Sequence, residues 1–191
     1  NSTAELDGAK TIGNPTEAAL LLWLKANGTD YSLLRQQTPI LWQQPFSTEN
    51  KYMATIAETK EGQYLMVKGA PEIVMAHCDI DHEELLNIQR QTLEYQNKAM
   101  RTLAFAYKKV ECGKNGYSLE AGDRSLTIQA VAAISDPLRE EVPMAVRQCC
   151  RAGIDVKIVT GDTSATAIEI ARQIGVWHDM IPDGAQITGP D

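Results

Sequence analysis

Residues 51–58 and 63–68 are two runs of strand-forming side chains separated only by Lys60-Glu61-Gly62 and the residues flanking it. Strands joined by so short a turn have one way to pair, because a parallel pair needs a crossover of a dozen residues or more. An antiparallel hairpin is therefore predicted, and the rest of the chain must be built around it. Further strand-like runs occupy 40–46, 102–110 and 126–135, and helical patterns lie between them. The helix start at Asn14-Pro15-Thr16-Glu17 is well formed: Asn14 caps, Pro15 suits the first helical position, and Glu17 stands three residues after the cap. That helix should end at Asn27-Gly28, and shorter ones should cover 31–37 and 71–78. Residues 81–100 form a long helical pattern, with Leu85, Ile88, Leu93 and Met100 as its inward stripe. Antiparallel strands with interleaved helices define an α+β fold.

After Asp136 the pattern changes. A helix over 142–151, with Pro143 in its first turn, leads through Gly153 to an apolar strand at 154–159. Thr160-Gly161-Asp162-Thr163 then turns into a helix over 165–174. Helix, strand, helix of this kind is the logic of a parallel α/β sheet. Two modules are expected, 1–131 and 132–191, meeting near Ser135-Asp136-Pro137.

Charge and length exclude several function classes. The 191 residues carry a formal charge of −7, and a surface that acidic repels nucleic acid and anionic lipid. No nucleic-acid partner is expected. The most apolar run, 18–24, is far shorter than the ~20 residues that cross a bilayer. The chain opens Asn1-Ser2-Thr3 without a methionine, which reads as a piece of a longer protein or as a chain whose initiator Met was removed. Cys78, Cys112, Cys149 and Cys150 form no Cys-x-x-Cys pair and are expected as free thiols in a reducing compartment. His77, Cys78, Asp81 and His82 resemble a ligand cluster but read better as polar residues between two helices, so no metal site is assigned.

Three places carry possible chemistry. Thr160-Gly161-Asp162 stands where a strand hands over to a helix, which is where open parallel sheets bind phosphate; it reads equally as a capped turn. Lys68, ahead of Gly69-Ala70-Pro71-Glu72, is either an anion-binding lysine or a solvated one before a routine turn. Phe46 is one of two phenylalanines, at a strand end among polar residues; it is either a core residue or a ring on which a base stacks.

Order and spacing unite them. The series Gly13-Asn14-Pro15-Thr16-Glu17-Ala18-Ala19-Leu20, Phe46-Ser47 with Lys51 and Met53, Val67-Lys68-Gly69-Ala70-Pro71-Glu72, and Arg101-Thr102-Leu103-Ala104 comes first. Asp136-Pro137-Leu138-Arg139, Ala152-Gly153-Ile154 and Val159-Thr160-Gly161-Asp162 follow. The whole resembles the cytoplasmic part of P-type cation-transporting ATPases, nearest the calcium-pump branch around 141–154. The resemblance implies a nucleotide-binding domain over 1–131, a twisted antiparallel sheet with flanking helices. It implies part of a haloacid-dehalogenase-like phosphorylation domain over 132–191. By the same resemblance Phe46 stacks adenine, Glu17, Lys51, Met53, Lys68 and Gly69 line the pocket, and Arg101 reaches the phosphates. Thr160, Gly161 and Asp162 meet the terminal phosphate, and Asp136 with Arg139 marks the hinge.

The implied ligand is ATP with Mg²⁺. The implied partners are the transported cation and the transmembrane and actuator domains of a membrane-embedded pump whose nucleotide site faces the cytoplasm. The family's Asp-Lys-Thr-Gly-Thr nucleophile run and its later Gly-Asp-Gly-x-Asn-Asp segment are not in this sequence, so no catalytic residue is assigned to it. Thr48 stands where many calcium pumps carry arginine, and Thr163 where asparagine is common. The competing readings are a free-standing haloacid-dehalogenase-like phosphatase, which would need an Asp-x-Asp nucleophile, and a non-catalytic nucleotide-binding module.

Overall fold

A computed structural model describes residues 2–7, 10–111, 119, 122–135, 138–160 and 164–177. The chain forms two compact units, Asn1–Thr92 with Thr102–Ile134, and Leu93–Arg101 with Ser135–Asp191.

The first unit is organised by a five-stranded sheet whose order follows the sequence: β3 (Ile40–Gln44), β4 (Tyr52–Thr59), β5 (Gly62–Gly69), β6 (Arg101–Lys109) and β7 (Thr127–Ile134). The predicted hairpin is β4–β5, in unbroken antiparallel register from Tyr52↔Gly69 to Thr59↔Gly62. β3 pairs with β4, and β6 with β5, also antiparallel. Side chains alternate across the pleat, and on one face Ala54, Ile56, Leu65, Val67, Ala104 and Ala106 form a continuous apolar layer. The helix α3 (Pro71–Ala76) brings Val74 onto that layer, and Cys78 and Leu126 complete the core. Ile56 and Leu65 have no exposed surface, so each contributes about 1.5–3 kcal/mol of burial.

A second, smaller cluster is built from α1 (Pro15–Ala26), whose Ala18 and Leu21 close over Ala4, with Leu6, Leu24 and Tyr31 packed around them. Tyr31 begins α2 (Tyr31–Gln37), and Leu6 lies in β1 (Glu5–Asp7), which pairs antiparallel with β2 (Lys10–Ile12). These three-residue strands had no sequence expectation, because they are too short to show a period of two.

The helix α4 (His82–Asn97) ends before Met100, which the expected stripe included, and departs from that stripe again at Leu93. Thr92 is buried, its hydroxyl donating to the Ile88 carbonyl at 2.7 Å, while Leu93 is exposed. At 100° per residue, Leu93 falls off the face that carries Leu85, Ile88 and Thr92.

In the second unit, α5 (Val142–Arg151) packs against α6 (Ser164–Ile174), which buries Ala171 and Ile174. The strand expected at 154–159 does not form. Ile154 and Ile158 are exposed, and Val159 is 97% exposed. A strand needs neighbours to bond its N–H and C=O groups, and among the described residues no second strand lies beside this one. The apolar, β-branched composition was that of a strand, but the ladder that would make it one is missing among those residues.

Candidate functional site

Strand register gathers five of the expected residues, Phe46, Lys51, Met53, Lys68 and Gly69, at one end of the sheet. The chain leaves β3 after Gln44, which pairs with Ala54 of β4, and Phe46 follows two residues on. Lys51 precedes β4, Met53 lies directly opposite Lys68, and Gly69 opposite Tyr52. Between Phe46 and Lys51 the backbone makes one tight turn: the Lys51 N–H donates to the Ser47 carbonyl at 2.8 Å, and the Asn50 N–H to the Ser47 hydroxyl at 3.1 Å. Lys51 closes this turn in the left-handed region, φ 56°, unusual for a residue with a Cβ. The Ala70 N–H then donates to the Lys51 carbonyl at 3.0 Å, binding the end of β5 to the start of β4.

Gly69 is dictated by that junction. A methyl there would sit 2.5 Å from the Lys51 carbonyl oxygen and 2.7 Å from the Tyr52 Cβ. The glycine after Lys68 is thus a close-approach residue that lets two strand ends meet.

Lys68 is neither solvated nor open to a ligand on all sides. It is 5% exposed, and its ammonium donates to Glu17 Oε1 at 2.5 Å. Glu17, 8% exposed, is third in α1, where Asn14 caps through its side chain to the Thr16 N–H at 2.9 Å. The sequence casts Glu17 as the returning half of that cap. Its carboxylate instead turns to Lys68 and to residues 2–4, because a buried ammonium and main-chain amides hold it more strongly than a half-solvated helix end. Oε2 accepts the Thr3 N–H at 2.8 Å, the Ala4 N–H at 3.1 Å, the Thr3 hydroxyl at 3.1 Å and the Ser2 hydroxyl at 3.0 Å. Burial by itself would push this carboxyl up; the Lys68 ammonium and the Thr3 and Ser2 donors outweigh it and hold the group down at about 2. The Glu17 carboxylate is therefore ionised at neutral pH and faces the Lys68 ammonium across the ion pair.

The remaining expected residues divide as follows. Phe46 is 59% exposed, so the core alternative does not hold for it, and its ring is open to a partner. Lys51 is exposed, whereas Met53 is buried, at 2% exposure. Arg101 is exposed at the first position of β6 and falls with the second unit. Arg139 and Thr160 are exposed, and the Arg139 carbonyl accepts the Val142 N–H at 3.0 Å. Asp136, Gly161 and Asp162 lie outside the described residues.

His77 Nδ1 lies 3.0 Å from the Asp123 carbonyl oxygen. The Cys78 thiol donates to the Val74 carbonyl, and burial pushes it up to about 11. Both groups of that ligand-like cluster are therefore engaged with backbone.

Sequence reasoning missed Arg35, Tyr31, Ser2 and Thr3. Arg35 Nη2 donates to the carbonyls of Ser2 at 2.8 Å and Ala4 at 2.7 Å, and its guanidinium lies 5.1 Å from the Tyr31 ring centre. The Tyr31 hydroxyl accepts the Leu6 N–H at 2.9 Å. The spacing of Tyr31 and Arg35, one helical turn apart, was the one available signal.

A family model described as the P-type ATPase cytoplasmic domain N matches residues 1–141. Among curated proteins, a calcium-transporting ATPase of Dictyostelium discoideum is 35% identical over 94% of this chain and 17% of its own length. A putative plasma membrane-type calcium-transporting ATPase of Arabidopsis thaliana is 35% identical over 94% of this chain and 18% of its own. A calcium-transporting ATPase of Listeria monocytogenes is 30% identical over 95% of this chain and 21% of its own. The chain thus spans about a fifth of the length of these relatives.

Proposed function

The chain belongs to the P-type ATPase family, matching its cytoplasmic domain N, and from that premise we propose that it is the ATP-binding module of a calcium-transporting pump. The observation that carries the reading is the gathering of an exposed aromatic ring, Phe46, with Lys51, Lys68 and Gly69 at one end of the sheet, beside the buried Glu17–Lys68 pair. An exposed ring offers a purine a stacking face worth about 1–3 kcal/mol. In this reading Met53 and the exposed Lys51 line the pocket beside that pair.

In this reading Arg101, Asp136, Arg139, Thr160, Gly161 and Asp162 serve the phosphates and the junction between nucleotide-binding and phosphorylation domains. The parts of the chain before and after about residue 131 are those two domains. The γ-phosphoryl passes from ATP to an aspartate of the parent that lies outside this sequence, and ADP leaves. This chain contributes positioning and charge to that transfer and forms no covalent bond itself. In this scheme Mg²⁺ arrives on the nucleotide, bound by its phosphates. Among the described residues no helix is long and apolar enough to cross a membrane; the ion path and the actuator domain belong to the rest of the parent.

One stacked ring and a few half-solvated charge contacts, set against the entropy of association, give an expected Kd of about 0.1–1 mM for ATP. Titration of the 191-residue chain with ATP, followed by NMR, should shift Phe46, Lys51 and Lys68 signals along one saturating curve. Shifts absent at ~10 mM, ten times the upper bound, would overturn the proposal.

A further inference from the structure

Glu17 is held from two sides by groups that do different work. Oε1 carries the Lys68 ammonium, and Oε2 carries donors from residues 2–4. A carboxylate so occupied cannot rotate without loosening both sets of bonds, so the place of the Lys68 ammonium depends on where residues 2–4 lie. Those residues are in turn held by α2. Arg35 bonds the Ser2 and Ala4 carbonyls, Tyr31 bonds the Leu6 N–H, and the guanidinium lies over the Tyr31 ring. The chain of contacts is continuous: Arg35, residues 2–4, Glu17, Lys68. All of it lies within the first compact unit.

We propose that Arg35 is a positioning residue for the nucleotide site: by holding residues 2–4 against α1 it fixes Glu17, and through Glu17 the Lys68 ammonium, and so sets nucleotide affinity without touching the nucleotide. The inference rests on the reading of the site as one for ATP. Arg35 is exposed, so its contribution to the hydrophobic core is small, and its two hydrogen bonds both end on backbone carbonyls of the same short segment. That arrangement suits a clamp better than a core residue. Loosening the clamp lets Glu17 rotate with its ammonium partner and blurs the geometry that a bound nucleotide would meet.

The test uses the 191-residue chain and three variants. Arg35→Ala removes the clamp, Arg35→Lys keeps a cation able to donate to carbonyls, and Thr3→Val removes a Glu17 donor from the far side of the segment. ATP affinity and the ¹⁵N resonance of the Lys68 ammonium are read together by NMR, with the β4 and β5 amide signals reporting that the sheet is intact. Arg35→Ala should weaken ATP binding about threefold to tenfold and should shift or broaden the Lys68 resonance. Thr3→Val should move both readouts in the same direction, and Arg35→Lys should restore most of both. If the wild-type chain binds ATP while Arg35→Ala binds equally well with the Lys68 resonance unmoved, the positioning role is overturned and the nucleotide reading stands. If the wild-type chain shows no ATP-dependent shift, the nucleotide reading itself falls and the inference falls with it.

Discussion

Replacing Lys68 by methionine keeps the volume of the aliphatic stem and removes the charge that faces Glu17. Glu17 is 8% exposed and Lys68 5%, so the carboxylate left behind has little access to water. Removing one member of a buried pair costs about 3–5 kcal/mol, because the other is stranded. Here Thr3, Ala4 and Ser2 still donate to Oε2, which places the expectation near the low end, about 3 kcal/mol. Glu17→Gln with Lys68→Met removes both charges, so the double variant should lose less than the sum of the single ones, by about 2 kcal/mol. With two compact units a single unfolding transition is poorly defined, so native-state hydrogen exchange at β4 and β5 amides is the suitable assay. A coupling below about 0.5 kcal/mol would refute the reasoning, since two independent sites add to within that margin.

Three other outcomes follow from the same junction. Gly69→Ala should destabilise the first unit by about 2–3 kcal/mol, measured by the same exchange experiment, because the new methyl meets the Lys51 carbonyl at 2.5 Å. Lys51→Gly should relieve the φ of 56° and raise stability by about 0.5–1 kcal/mol while weakening ATP binding; hydrogen exchange at the β4 and β5 amides and an ATP titration read the two effects. Acid should act through Glu17: its folded pKa lies below its unfolded value, so the stabilisation is full above about pH 4.5 and is lost as pH falls toward about 2. Glu17→Gln should flatten stability in that window relative to wild type, as followed by amide exchange or circular dichroism.

The sheet was legible because its information is local. The β4–β5 pair announced itself through strand-forming runs on both sides of a glycine turn, and α1 through Asn14-Pro15 at its start. The run 154–159 was misread because a strand is a relation between segments: its composition satisfied half of the requirement, and no neighbour among the described residues satisfied the rest. At the site, the residue types were legible and their partnerships were not. Glu17 and Lys68 are 51 positions apart, and nothing local says that they meet; the local signal at Glu17, a helix cap, pointed elsewhere. Arg35 was invisible for a different reason. Its acceptors are backbone carbonyls, which every residue has, so the contact leaves no mark in the types of Ser2 and Ala4. Leu93 shows how finely phase matters, since one step along α4 separates it from the buried Thr92.

The account stands on a purine meeting the exposed Phe46 ring. The most direct measurement is an intermolecular nuclear Overhauser experiment on the 191-residue chain with ATP, comparing wild type with Phe46→Ala. Cross-peaks between adenine protons and the Phe46 ring are expected in wild type, and in Phe46→Ala an affinity at least about fivefold weaker with β4 and β5 unchanged. Adenine cross-peaks to a different part of the chain, or undiminished affinity in Phe46→Ala, would contradict it.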